Sequence, residues 1–226
     1  MAPARRTAER QYPVQEQTVT DTKPTVFIVD DDPSIRESTE MLLRSVGFHV
    51  KTFVSAQDFL KADLREGPDC LILDVRMPGM SGLELQEKLV SAKTPLSMIF
   101  ITGHGTIPMS VRAMKAGAVD FLPKPFDEQE LLDAINRAIS QQRERKAKKD
   151  EIDMLHLRLK TLTSREYEVF SLLVTGRANK EVAYELGTSE RTVKAHRAKI
   201  MKKMHAGFSA DLIRFSEKLK TNPPDQ

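Results

Sequence analysis

From Thr25 onward the chain alternates between short apolar runs and longer amphipathic segments. TVFIV, residues 25–29, predicts a strand. PSIRESTEMLLRSV then places Ile35, Leu42 and Val46 at near-helical intervals, with Pro33 in a first turn that does not need its missing N–H. FHVKTFVS predicts a second strand, and SAQDFLKADLRE a short helix capped by Ser55. CLILDV with SGLELQEKLVSA, SMIFITG with TIPMSVRAMKAG, and VDFLPK with DEQELLDAINRAI follow as further strand–helix pairs. Five such rounds predict a parallel sheet covered on both faces, because parallel strands need crossover connections.

Beyond residue 140 the pattern changes. Residues 141–161, QQRERKAKKDEIDMLHLRLKT, lack Pro and Gly and are dense in helix formers, so they predict a connecting helix. Its stripe of Ile152, Leu155, Leu159 and Leu162 suits either packing on its own domain or a short coiled-coil seam. LTSRE then opens a new helix, with Thr163 and Glu166 as a capping box and Leu162 placed to staple onto Tyr167. That helix runs to about Thr175 and stops at Gly176. Asn179 is placed to cap a second through VAYEL, ending at Gly187, and a Thr188-Ser189 turn starts a third, ERTVKAHRAKIMKKM. Two short helices about a tight glycine-containing turn form a helix-turn-helix pattern. On the third helix Val193, Ile200 and Met204 share one side. Arg191, Ala195, Ala198 and Lys202 project opposite, flanked by Lys194 and Lys199. The tail helix, SADLIRFSEKLK, aligns Leu212, Phe215 and Leu219 to complete the bundle or to support a dimer.

Composition adds limits. A chain of 226 residues with 40% hydrophobic and 30% charged residues suits two ordinary domains. No apolar run approaches the roughly 18 residues of a membrane helix and no secretory apolar region follows the start, so a soluble, cytoplasmic protein with no membrane partner is expected. The lone Cys70 excludes an intrachain disulfide and, within DCLILD, predicts a packed thiol. His49, His104, His156, His196 and His205 show no metal-ligand spacing. Charge is divided: residues 1–139 carry 16 Lys/Arg against 20 Asp/Glu, and residues 140–226 carry 19 against 12. A basic second half points to a polyanion, and residues 189–204, around the third helix of the pattern, hold six Lys/Arg with Glu190 as their only acid. The polar leader, residues 1–24, reads as a flexible tail carrying the small cluster Arg5, Arg6 and Arg10.

The candidate chemistry lies at strand ends. Asp30, Asp31 and Asp32 follow the first strand, Asp74 ends the third, Thr102 the fourth and Lys124 the fifth. In an open α/β sheet that edge is where ligands bind, so four separate segments converge on one crevice. Carboxylates without His or Cys make a hard oxygen site suited to Mg2+. Asp74 is then a candidate nucleophile toward a phosphoryl donor, with Lys124 and the Thr102 hydroxyl stabilising phosphoryl oxygens. Asp32, just before Pro33, suits a helix cap instead.

These residues carry a resemblance. VDDD, LDVRMPGMSG, ITGHG and FLPKPF, in that order, resemble the acid pocket, phosphoacceptor loop, switch threonine and lysine signatures of response-regulator receiver domains, and ITGHG with AMKAGAVDFLPKPF is similar to the FixJ subgroup. LTxRE, ANKExA and TVKxHR within residues 162–204 resemble the LuxR/NarL helix-turn-helix. The resemblance implies a flavodoxin-like receiver at 25–140 with strand order 2-1-3-4-5, a helical linker at 141–161, and an all-α DNA-binding domain at 162–226. It implies Asp74 as phosphoacceptor, and Asp30, Asp31, Asp74 and the backbone carbonyl of Arg76 around Mg2+. Thr102 and Phe121 become the switch pair, with Lys124 beside the phosphoryl group and a cis bond at Lys124-Pro125. In that family the positions of Lys194, Ala195 and Ala198 face base edges. Implied partners are a sensor histidine kinase, double-stranded DNA, a second copy of the chain after phosphorylation, and RNA polymerase. On this reading the chain is not a turnover enzyme, although a receiver catalyses its own phosphorylation and dephosphorylation. Two alternatives are a Mg2+-dependent phosphohydrolase using Asp74, and a constitutive DNA binder with an inert receiver.

Overall fold

In a computed structural model, which describes residues 23–62, 67–94, 96–103 and 105–222, the apolar runs become five parallel strands. These are β1 (Thr25–Val29), β2 (His49–Phe53), β3 (Cys70–Asp74), β4 (Met98–Thr102) and β5 (Asp120–Pro123), ordered β2-β1-β3-β4-β5 as expected. Alternate side chains separate two apolar layers. Phe27, Val29, Leu71, Leu73 and Phe100 pack with Phe59, Leu85 and Ala113 on one face. Val26, Ile28, Cys70, Ile72 and Ile101 pack with Leu43, Leu131 and Ile135 on the other. Both faces are dry, so the strands read as continuous apolar runs.

The helices begin where side-chain oxygens satisfy their first N–H groups. Asp32 caps α1 (Pro33–Ser45), accepting from the Ser34 N–H at 2.8 Å, and Ser55 caps α2 (Ala56–Lys61). Ser81 and Glu84 form a capping box on α3 (Gly82–Ser91), and Thr106 caps α4 (Ile107–Lys115). The buried face of α1 differs from the expected stripe: Thr39 and Leu43 are its buried residues, and Val46 is half exposed as the C-cap. Residues 63–66, where the second helix was expected to continue, lie outside the described residues. So do His104 and the leader cluster Arg5, Arg6 and Arg10.

The helix expected before residue 140 and the connecting helix expected after it are continuous. One helix, α5 (Glu128–Lys160), runs continuously for 33 residues from an Asp127 cap. Its first turns bury Leu131, Ala134, Ile135 and Ala138 against the sheet, and Leu155 is buried again near its far end. Between Arg143 and Asp150 every residue is exposed. No Pro or Gly interrupts the segment, so continuing the helix costs less than starting another.

The second part of the chain is α6 (Ser164–Leu173), α7 (Asn179–Glu185), α8 (Glu190–Met204) and α9 (Ser209–Thr221). Thr163 and Glu166 form the expected capping box on α6. Asn179 is not the cap of α7. Ala178 occupies that position and its N–H donates to Glu181, which leaves the Asn179 side-chain oxygen to accept from Arg197 at 3.1 Å. Leu155, with Leu159 and Leu162 partly buried beside it, packs on Phe170, Val193, Ile200, Met204, Leu212 and Phe215. Leu155, Leu159 and Leu162 therefore belong to the core of this helical unit, while Ile152, the first residue of the expected stripe, is only partly buried and lies outside that cluster.

Candidate functional site

The carboxyl edge of the sheet brings three predicted residues into direct contact. The Lys124 ammonium lies 2.7 Å from Asp30 Oδ2 and 2.8 Å from Asp74 Oδ1. Asp30 is fully buried, Asp74 is 5% exposed and Thr102 is 1% exposed. Asp30 Oδ1 accepts the Asp32 N–H at 2.9 Å, and Asp74 Oδ2 accepts the Arg76 N–H at 2.7 Å. Thus every oxygen of the two buried carboxylates has a donor, as burial of charge demands.

The surroundings of these groups set their protonation. Burial pushes the Asp74 carboxyl above the ordinary aspartate value and the Asp30 charge adds to it, against Lys124 and the Arg76 N–H, which pull it down. Burial would lower the Lys124 ammonium, but the hydrogen bonds and charges of Asp30 and Asp74 outweigh it and hold it above the ordinary lysine value. Cys70, at the start of β3 and fully buried on one face of the sheet, has its thiol pushed far up by burial, which keeps it in the unreactive form.

Two of the predicted residues approach the crevice differently. Asp31 is exposed, and Asp32 is turned away into its capping bond. Among the described residues no three His, Cys, Asp or Glu side chains form a ready-made cage for a metal ion. Magnesium does not need one: it takes one or two carboxylates, waters and phosphate oxygens, and the donor set here is oxygen only. The aligned acids therefore fit the ion chemically, with the Lys124 ammonium lying between Asp30 and Asp74.

Thr102 and Phe121 both lie beside Gly105. The Thr102 carbonyl accepts the Lys124 N–H at 2.8 Å, which joins the ends of β4 and β5. Phe121 is half-buried, with its ring 6.2 Å from that of Phe100. A Cβ at Gly105 would lie 2.8 Å from the Phe121 ring and 3.0 Å from Thr102 Cγ2, so glycine lets this loop close on both side chains. Lys124-Pro125 is cis, as the resemblance implied.

Two contributors were not legible as such in the sequence. A Cβ at Gly82 would lie 2.2 Å from the Asp74 carbonyl oxygen, so only glycine lets α3 start against the backbone of Asp74. Arg36 folds back over the first turn of α1 and donates to the Asp30 carbonyl at 2.8 Å. The available signal for Arg36 was a cation in a first helical turn, where the dipole disfavours it.

The second site is the outer face of α8. Val193, Ile200 and Met204 are fully buried, and burying side chains of this kind is worth about 1.5–3 kcal/mol each. Arg191, Lys194, Ala195, Ala198, Lys199 and Lys202 are all exposed. Behind them, Arg197 reaches Asn179 on α7 and Ser209 at the start of α9. Lys203 donates to Glu166 at 2.6 Å and to the Thr161 carbonyl at 2.9 Å. The basic face therefore stands on a helix tied to its neighbours at several points.

A doubly wound sheet with a buried Asp–Lys constellation at its carboxyl edge, joined through one helix to a helix-turn-helix, defines a receiver-type module coupled to a DNA-binding module. Comparison with known families agrees on both halves. Residues 26–136 match the response regulator receiver domain, and residues 160–216 match the bacterial regulatory proteins of the luxR family. Nodulation protein W of Bradyrhizobium diazoefficiens is 50% identical over 202 residues, 89% of each chain. The structure of the response regulator StyR is similar over 87% of this chain and all of that one, at 50% identity and a TM-score of 0.77. Full-length FixJ from B. japonicum is similar over 88% of this chain and 98% of that one, at 38% identity and a TM-score of 0.52. The chain belongs to the response-regulator family, with a LuxR-type DNA-binding domain.

Proposed function

We propose that the chain is a phosphorylation-switched transcription factor that takes a phosphoryl group onto Asp74 from a sensor histidine kinase. The observation that carries this reading is Asp74 itself, a nearly buried carboxylate at a strand end with one oxygen on Lys124 and the other on a backbone N–H. A carboxylate oxygen attacks phosphorus, the P–N bond of the phosphohistidine breaks, and the imidazole leaves with the bonding pair. Lys124 balances charge on the phosphoryl oxygens, and Thr102 lies at the same edge to meet one of them. Asp30, Asp31, Asp74 and the Arg76 carbonyl would hold Mg2+, which when bound supplies further charge neutralisation. The phosphohydrolase alternative lacks support at position 76, where an acid two residues beyond the nucleophile would be wanted and arginine stands.

The switch follows from the packing of Thr102 and Phe121 around Gly105. A shift of Thr102 toward a phosphoryl oxygen opens space for Phe121, and α4 adjoins that loop. Its outer face carries Ile107, 81% exposed, with Val111 and Met114 each 45% exposed. Such a stripe suits pairing with a second copy of the chain, which would set two α8 helices on adjacent half-sites of DNA about one turn apart. Phosphorylation biases states that already differ in free energy.

The test uses the full chain with a small phosphodonor and Mg2+. Intact mass should show one phosphoryl group on the wild type and none on Asp74→Ala, and DNA binding should tighten only in the former. Equal DNA affinity with and without the donor, in both proteins, overturns the switch.

A further inference from the structure

We propose that Arg36 is a positioning residue for the acidic crevice: it holds the backbone of Asp30 and Asp31 so that their carboxylates face a divalent cation. This rests on the receiver reading above. Arg36 stands in the first turn of α1, which carries no acidic residue, and a cation there opposes the helix dipole. A local rule broken in this way calls for a compensating contact. The side chain supplies it by turning back over the helix start, with Nη1 2.8 Å from the Asp30 carbonyl oxygen and 3.4 Å from that of Asp31.

Arg36 also has the Asp32 carbonyl as partner for its own N–H, at 3.0 Å. One residue thus ties three successive carbonyls at the junction of β1 and α1. The Asp30 carboxylate is already fixed by Lys124 and the Asp32 N–H, and its N–H donates to Phe53 at 3.2 Å. Asp31 is exposed, so the direction of its side chain depends on the two peptide planes around it. Arg36 orients both planes through their oxygens. Carbonyls engaged in this way are turned toward the guanidinium, which leaves the carboxylates as the groups offered to a cation.

The proposal separates cleanly from a charge effect, because the two have opposite signs. A guanidinium near the acids repels a cation, so removing its charge alone would tighten Mg2+ binding. Removing a positioning contact weakens it. Mg2+ affinity should be measured by titration calorimetry on the full chain, with no phosphodonor present. Arg36→Met is expected to bind Mg2+ about tenfold more weakly, the worth of one charge-assisted hydrogen bond. Arg36→Lys, which keeps the charge but on a shorter side chain that does not reach as far as Nη1 does between the two carbonyls, should lose roughly threefold. The phosphorylation rate of Arg36→Met should return toward wild type at saturating Mg2+, which general loosening of the fold would not produce. Equal or tighter Mg2+ binding by Arg36→Met overturns the proposal; should that variant fail to fold, unaltered binding by Arg36→Lys does so. If the wild type binds Mg2+ but never carries a phosphoryl group on Asp74, the phosphoacceptor reading falls while the comparison of Arg36 variants still stands.

Discussion

Replacing Lys124 by methionine removes the one ammonium shared by two carboxylates while keeping most of the side chain's bulk. In the wild type that ammonium lies 2.7 and 2.8 Å from Asp30 and Asp74, with 16% of its side chain exposed. Breaking a buried pair by removing one partner costs about 3–5 kcal/mol, and the partial exposure of this crevice favours the lower figure. Two carboxylates then face each other without a counter-charge. Asp74, whose carboxyl burial already raises, is the one to take up a proton. A carboxyl with a raised folded-state value contributes stability that is greatest at low pH and is lost as pH rises through that value. The penalty should therefore be large at neutral pH and shrink as the solution is acidified. Hydrogen exchange of the β3 and β4 amides, without Mg2+, reads the receiver alone and avoids mixing its unfolding with that of the helical domain. A loss of about 3 kcal/mol corresponds to exchange roughly a hundredfold faster. Protection equal to wild type at neutral pH, or a loss that does not diminish on acidification, refutes this account of the crevice.

Two further outcomes are expected in the helical domain. Glu166, 3% exposed, accepts from Lys203 and from the Thr163 N–H, and these bonds hold its carboxyl down at about 2. Its contribution to stability is complete above the unfolded value near 4.5 and is lost as pH falls toward 2; Lys203→Met, which leaves only the Thr163 bonds, should reduce that acid sensitivity in a circular dichroism melt and lower the domain's midpoint at neutral pH. Ala198→Glu, on the exposed face of α8, should leave the melting temperature within about 1 °C of wild type yet weaken DNA binding at least tenfold, as measured by fluorescence anisotropy at fixed salt, because it sets a carboxylate toward phosphates.

The sequence alone was a good guide wherever a local pattern dictates structure. The alternation of TVFIV, CLILD and MIFIT with amphipathic segments requires parallel strands with two dry faces, and the strand order followed from the resemblance. The α8 stripe of Val193, Ile200 and Met204 was legible for the same reason: a helix that buries one face shows the period of its own turn. The sequence pattern predicts one helix before residue 140 and a connecting helix after it; the structure joins them, since a helix continues unless Pro, Gly or a cap stops it, and no such residue stands there. Asn179 looked like a cap because capping chemistry is local; a guanidinium 18 positions away claimed its oxygen instead.

What the sequence by itself determined is therefore the set of elements, the convergence of Asp30, Asp74, Thr102 and Lys124 on one sheet edge, and the outward basic face of α8. Strand ends and helix faces follow from short-range periodicity, which a single chain displays openly. Only the tertiary structure decided the partners: that Lys124 bridges Asp30 and Asp74, that Asp31 stands exposed beside them, that Gly82 lies against the Asp74 backbone, and that Arg36 turns back onto two carbonyls. Hydrogen bonds and close contacts act over about 3 Å, so they depend on which distant segments are packed together, and no local pattern of residue types encodes that distance.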